Sequence, residues 1–526
     1  MDFTHVGAAL AVGIASFLVV KGKQKPNYPP GPPADPLVGH LRVIPFENQD
    51  ATFHAWAKEY GEYRTFLGKA LGNHIVVLDS VEAANDLLEK RSAIYSDRPH
   101  ILVFDMVGMN DIVLMPYGEA FRKHRKFVHS TITKRAITTF QPVQTKNARA
   151  LALNLLENKN RHEMFFNMQV LYVSSLLTLS DPREFRFATS VITGILYGHQ
   201  VVSEDDEYMK LMDHQSMIAV NLGQPGGALL DILPFLQHLP AWFPGTGPAI
   251  RAREWRPMFR RVYDYPYEQV EKKMVGAEGV AEDSILARVL AKFSTRNSVP
   301  EEEIEYVKLA TGAMYRAAVE TTWSTIAVLF MTMILYPECQ KRAQEEIDRV
   351  IGSERLPEFE DKDSLPYTTA LVHEVLRWHP VIPLAIPHRS VQDDVYKGMF
   401  IPKGTTILAN VMGMALDEKT YKNPSIFNPS RFLPKPDGDD EPLFGSAFGF
   451  GRRICPGRHF ALNSLWMLTA TILATLDLSV GRDENGNLAP PPLEFNHTVS
   501  SRPKEFVCDV RARSRLSASL LSAQAT

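Results

Sequence analysis

The stretch FGFGRRICPGRHFA, Phe448 to Ala461, sets one of only three cysteines in a chain of 526 residues among glycines and arginines. Phe448, Gly451, Arg453, Cys455 and Gly457 keep the spacing F-x-x-G-x-R-x-C-x-G, and each has a use if the Cys455 sulfur is an axial ligand of haem iron. Glycines let backbone approach a flat macrocycle and leave amides free to hydrogen-bond a thiolate, holding its charge without protonating it. Arg453 would face a haem propionate. Pro456 with Gly457 would open a helix whose positive end favours an anionic sulfur. An inert buried thiol is the ordinary reading of a lone cysteine, and it gives these neighbours no reason to be there.

On these residues the chain resembles the cytochrome P-450 superfamily, the haem-thiolate monooxygenases. The resemblance implies a mainly α fold with small β-sheets, haem b bound through the Cys455 thiolate, and Phe448, Gly451, Arg453 and Gly457 in the loop that seats it. In HEVLRWHP, Glu374 and Arg377 form E-x-x-R, a pair on one helical face, and Arg431 of NPSRF matches the arginine that completes the family's buried ion network. That network is expected to fix the core around the ligand loop, since breaking it strands a charge. RAAVETT, Arg316 to Thr322, lines up with A/G-G-x-D/E-T-T and puts Glu320 and Thr321 where the family's acid and alcohol deliver protons during oxygen activation. Two residues depart from the pattern. Ala318 replaces the usual glycine, and Arg316 lies one turn before Glu320, where an i,i+4 pair either holds the glutamate aside or tunes its acidity. YGEAFRKHRK, Tyr117 to Lys126, resembles the W-x-x-x-R helix with Phe121 in place of tryptophan and Arg125 kept, so Phe121 is expected to contribute packing only. SDRP and IPHR supply Arg98 and His388, which with Arg125 and Arg453 are implied to hold the propionates.

Taken singly, several of these residues have plainer readings. Glu374 and Arg377 alone form a solvated helix pair, Thr321 alone is a threonine bonding back to the preceding turn, and Arg98 and Arg125 alone are surface charges. Their joint register with Cys455 favours the chemical reading. A haem-thiolate isomerase or dehydratase working without a reductase, or a non-catalytic haem protein, would have no use for Glu320 and Thr321.

The elements that must carry these residues are mostly helical. A long helix opens after Pro300 with three glutamates and stops before Pro337, largely apolar in its second half, and is expected to cross the centre of the molecule. Helices are also expected over 338–351 and 367–378, and strands over 63–66, 74–78, 394–396 and 405–409.

At the level of the whole chain, an apolar fraction of 45%, a charged fraction of 22% and a formal charge of -3 describe an ordinary globular protein with no drive toward nucleic acid. Three cysteines, Cys339, Cys455 and Cys508, form neither a disulfide framework nor a zinc spacing, so the catalytic part belongs in a reducing compartment. The run VGAALAVGIASFLVV, Val6 to Val20, followed by Lys21, Lys23 and Lys25, reads as a single-pass anchor over 1–25 with the body of the chain on the cytosolic face of the endoplasmic reticulum. A proline-rich spacer covers 26–36 and one catalytic unit 37–526. No flavin or nicotinamide fingerprint occurs, so electrons are expected from NADPH through a separate cytochrome P-450 reductase, with cytochrome b5 as a second donor. RKHRK, Arg122 to Lys126, with Arg452, Arg458 and His459, would form a basic docking patch for it. The segments 100–107, 381–385 and 498–500, with Met314 and Ala317, are implied to border a lipophilic substrate such as a terpenoid or polyaromatic. DILPFLQHLPAWFPG, Asp231 to Gly245, is either a membrane-dipping entrance or an ordinary loop.

Overall fold

The computed structural model describes residues 27–524 apart from 36–37, 46, 62–64, 71–72, 158–181, 202, 204, 223–228, 276–282, 484 and 498–499. The expected anchor, the end of the proline-rich segment and Thr498 therefore lie outside the described residues. The elements used below are α1 (Gln49–Glu59), α2 (Leu102–Val107), α3 (Glu119–Thr131), α4 (Gln141–Glu157), α5 (Pro182–Tyr197), α6 (Glu207–Leu222), α7 (Gly247–Val275), α8 (Ile285–Ser294), α9 (Glu301–Leu335), α10 (Pro337–Val350), α11 (Pro366–Trp378) and α12 (Arg458–Thr475).

Helix α9 is the axis of the molecule. Pro300 precedes its first turn, Glu301, Glu302 and Glu303 sit at its positive end, and Pro337 prevents its continuation. Every residue from Trp323 to Ile334 is buried, so the helix loses its polar face where other helices surround it. By length and composition it would span a membrane, yet 72% of its most apolar window is buried inside the protein, the signature of a core helix. It packs against α5, α7, α11, α12 and the strand at Ser501–Pro503. The main core gathers on it, with Phe330, Met331, Trp466 and Leu371 among its fully enclosed members.

The strands form small sheets at the periphery. β1 (Thr65–Ala70) and β2 (Asn73–Leu78) form an antiparallel hairpin, β6 (Thr406–Ala409) joins β2 in parallel, and β3 (His388–Arg389) closes the edge antiparallel to β6. β4 (Asp394–Tyr396) pairs with β5 (Met399–Ile401), β7 (Leu476–Arg482) lies between β8 (Leu488–Ala489) and β11 (Cys508–Ala512), and β9 (Phe495–His497) pairs with β10 (Ser501–Pro503).

Helices α9, α10 and α11 fall within a residue or so of their expected bounds, and the strands at 74–78, 394–396 and 405–409 are present. The first expected strand, 63–66, falls partly outside the described residues; it is described from Thr65 and extends past its expected end to Ala70, because Gly68 is carried inside it opposite Ile75. Helix α7 continues through Pro257 and Pro266, against the rule that interior proline breaks a helix. The start of the proline-rich segment is docked: Phe400 N–H donates to Asn27 O at 2.6 Å, and the Tyr28 ring stacks on His74 at 5.5 Å.

Candidate active site

Cys455 sits on a loop that leads directly into α12, whose N-cap is Gly457. The Cys455 N–H donates to Phe448 O at 2.8 Å, closing the loop on itself. Burial pushes the Cys455 thiol up, while the Gly457 N–H, the Arg125 and Arg458 guanidinium groups and the Arg458 N–H pull it the other way. The sulfur therefore has amides and positive charge directed at its anionic form, as a thiolate ligand needs. Gly451 has φ +54°, and a Cβ there would lie 2.0 Å from Leu88 O. Its lack of a side chain thus serves packing against the Leu88–Glu89 backbone, where it was expected to serve approach to the macrocycle.

A buried cationic cluster lies beside this loop. Arg453 donates to Ser96 O, Ile112 O and Met115 O, Arg98 donates to Val113 O, Ile386 O and Pro387 O, and the His388 Nδ1–H donates to Tyr95 O at 2.7 Å. Burial, and then the charge of Arg453, holds Arg98 well below the usual guanidinium range. Burial, with Arg98 next, does the same for the His388 imidazole, and Arg453 is brought down to about 10, burial again leading. Buried cations that repel one another are relieved by carboxylates placed among them. The two propionates of haem would supply that against Arg98, Arg453 and His388, so the donor set and the sulfur environment both fit the group. Arg125 is partly buried on α3, within electrostatic reach of Cys455.

Phe121 does more than pack. It is 3% exposed, and the Arg453 guanidinium lies 3.7 Å from its ring centroid, a cation–π contact that fixes the position of that guanidinium. Its position follows from α3, which buries Phe121, His124 and Val128 on one stripe and leaves Arg122, Lys123 and Lys126 in solvent. Arg452 is exposed with them and donates to the Tyr117 hydroxyl at 2.9 Å.

On α9, Ala317 is exposed between the buried Tyr315 and Val319, so RAAVETT presents an open spot on the mostly buried middle of the helix. Glu320 does not pair with Arg316. Its Oε2 accepts from Ser216 Oγ at 2.8 Å and its Oε1 from Ser500 Oγ at 2.6 Å, with Arg502 Nη1 at 3.5 Å. Arg316 instead donates to Asp111 Oδ2, which also accepts from the Tyr263 hydroxyl at 2.9 Å. Tyr263 reaches this place because α9 carries Gly312, where a Cβ would lie 2.3 Å from the ring. The Thr321 hydroxyl donates to Ala317 O at 2.9 Å, the ordinary helical back-bond.

Behind the ligand loop, Glu374 takes two bonds from Arg377 at 2.7 Å and one from Arg431 Nε at 3.0 Å, all three residues being fully buried. Asn428 N–H adds a further bond at 2.9 Å, and Glu441 accepts from Arg431 Nη1 at 2.7 Å, making the network charge-neutral with four members.

The structure thus brings Phe448, Gly451, Arg453, Cys455 and Gly457 together with Arg98, Arg125 and His388, and it joins Glu374, Arg377 and Arg431. Glu320 and Thr321 share a helix without bonding to one another's side chains. Ser216, Asp111, Tyr263, Arg502 and Glu441 carry no local motif. Ser500 was legible only as part of a substrate-bordering segment.

The family model described as Cytochrome P450 matches residues 29–507. The chain is 37% identical to cytochrome P450 monooxygenase 208 of Postia placenta over 525 residues, covering 98% of this chain and 97% of that protein. It is 34% identical to cytochrome P450 monooxygenase 136 of the same organism, covering 94% and 90%, and 34% identical to cytochrome P450 monooxygenase COX2 of Coprinopsis cinerea, covering 97% and 94%.

Proposed function

The chain belongs to the cytochrome P450 family and is a haem-thiolate monooxygenase, and from that premise we propose that it inserts one oxygen atom into a lipophilic substrate, a terpenoid or polyaromatic, with electrons passed from NADPH by a separate reductase. The carrying observation is the exposure of Ala317, three residues before Glu320 on a largely apolar helix. Thiolate-ligated haem supplies the oxygen chemistry when bound. The protein's own part is to hold the Cys455 sulfur anionic, to seat two carboxylates against Arg98, Arg453 and His388, and to manage protons at Glu320 and Thr321.

The exposed Arg122, Lys123, Lys126 and Arg452 support docking of an acidic electron donor, a reductase or cytochrome b5, by charge complementarity. The apolar run at Val6 to Val20 supports a single-pass anchor in the endoplasmic reticulum with the catalytic part in the cytosol. Trp242 at 79% exposure and Phe235 at 56% support contact of the segment 231–245 with the same membrane surface.

A spectral binding screen of lipophilic compounds, followed by product analysis with NADPH and reductase, tests this reading. Substrate-dependent NADPH consumption with an oxygenated product is expected. Conversion of a bound compound without reductase would overturn the electron-transfer part, and binding of polar compounds alone would overturn the substrate class.

A further inference from the structure

We propose that Ser500 is the hydroxyl that returns protons to Glu320, with Ser216 and Arg502 as positioning residues that hold the carboxylate to receive them. The proposal rests on reading Glu320 as the proton donor. Both oxygens of Glu320 are engaged, Oε2 by Ser216 Oγ at 2.8 Å and Oε1 by Ser500 Oγ at 2.6 Å. The two serines come from distant parts of the chain, α6 and the residue before β10, and are 3% and 5% exposed. Hydroxyls buried at such places are directed by their partner, and here they share one carboxylate.

Arg502 completes the arrangement. Its guanidinium is buried, 3.5 Å from Glu320 Oε1 and 4.5 Å over the ring of Trp323, one turn beyond Glu320 on α9. Ring and carboxylate together fix the Arg502 guanidinium, which in turn holds the Glu320 carboxylate in place. The alternative suppliers on α9 are occupied: Arg316 bonds to Asp111, and the Thr321 hydroxyl donates to Ala317 O.

A serine hydroxyl donates one proton and still offers lone pairs. A proton can therefore pass from Ser500 Oγ to Glu320 Oε1 while Ser500 Oγ takes one from a solvent hydronium. The carboxylate becomes a carboxylic acid, the hydronium becomes water, and Ser500 is unchanged. Glu320 is thus recharged from the β10 side, across the helix, and not along α9.

The contact is tested first without turnover, by thermal unfolding of the haem-loaded full chain as wild type, S500A, E320Q and S500A/E320Q. The double variant is expected to lose less melting temperature than the two single losses added together; additive losses overturn the contact. With reductase and a consumed substrate, S500A is expected to release about tenfold more hydrogen peroxide per NADPH and to show a larger solvent deuterium isotope effect. S500T, which keeps the hydroxyl, restores both, while the carbon monoxide band stays put in all variants. Wild-type coupling in S500A, or S500T as impaired as S500A, overturns the relay. E320Q separates the two levels: if it leaves peroxide yield and isotope effect unchanged, the donor role of Glu320 fails and the relay with it, while non-additive melting still establishes that Ser500 and Glu320 are joined.

Discussion

Arg316 Nη2 lies 2.6 Å from Asp111 Oδ2, and so leaves Glu320, one turn further along the same helix, to partners on α6 and β10. Asp111 is fully buried, and the Arg316 side chain is 11% exposed. Charge pairs removed from water hold a structure together mainly by the cost of separating them. Asp111 belongs to the loop whose carbonyls at Ile112, Val113 and Met115 accept from Arg453 and Arg98. That loop is thus fastened on one side to α9 and α7 and on the other to the cationic cluster beside Cys455.

Asp111→Ala should therefore be severe, on the order of 3–5 kcal/mol, because it strands a buried guanidinium whose Nε already has no partner among the described residues. Asp111→Asn with Arg316→Met should lie closer to wild type than either single change. Urea unfolding midpoints of wild type, Asp111→Ala, the two singles and the double check this, and equal losses in the two singles and the double would contradict it.

Gly312→Ala should lower stability by about 1–3 kcal/mol, because a Cβ placed 2.3 Å from the Tyr263 ring forces the ring off and breaks its bond to Asp111. Tyr263→Ala already lacks both the ring and that bond. Adding Gly312→Ala to it should cost little more, a non-additivity read by thermal melting.

Glu374→Ala should prevent stable folding with haem, since it leaves Arg377 and Arg431 buried without their shared carboxylate, a loss on the order of 3–5 kcal/mol. Glu441→Gln should be milder, about 1–2 kcal/mol, because Glu441 is 11% exposed and an amide oxygen still accepts from Arg431. Haem content after purification and the urea midpoint rank the two. An E441Q protein as poor in haem as E374A would mean that the fourth member matters as much as the shared one.

The ligand loop, the E-x-x-R pair and the central helix were legible because each is a local pattern whose spacing is set by helix or turn geometry. The partners of Glu320 were not. Ser216 and Ser500 are separated from it by 104 and 180 positions, and serines at such separations carry no periodic signal. The i,i+4 spacing of Arg316 and Glu320 predicted a pair, and a buried carboxylate from another element won the guanidinium because desolvation strengthens that bond more. Gly451 belongs to the ligand-loop pattern, but the packing that requires a glycine there arises from the Leu88 carbonyl, which no local pattern identifies. Glu441 escaped for the same reason, as a carboxylate in a loop whose importance is that Arg431 reaches it.

His373, next to Glu374 on α11, gives a pH dependence of definite sign. Burial, with the charge of Lys362 adding to it, pushes its imidazole down to about 4, while in the unfolded chain it titrates at the ordinary value of 6.5. Between these values the unfolded state binds the extra proton, so stability falls as pH is lowered from about 6.5 toward 4, by roughly 3 kcal/mol at most from this group. Above that window both states are neutral, and the contribution is constant. His373→Phe, which keeps a ring beside Phe432, should flatten that part of the profile. Urea midpoints measured every half unit between about pH 4 and 7 for both proteins check it. An unchanged acid slope in the variant would assign the loss to other groups.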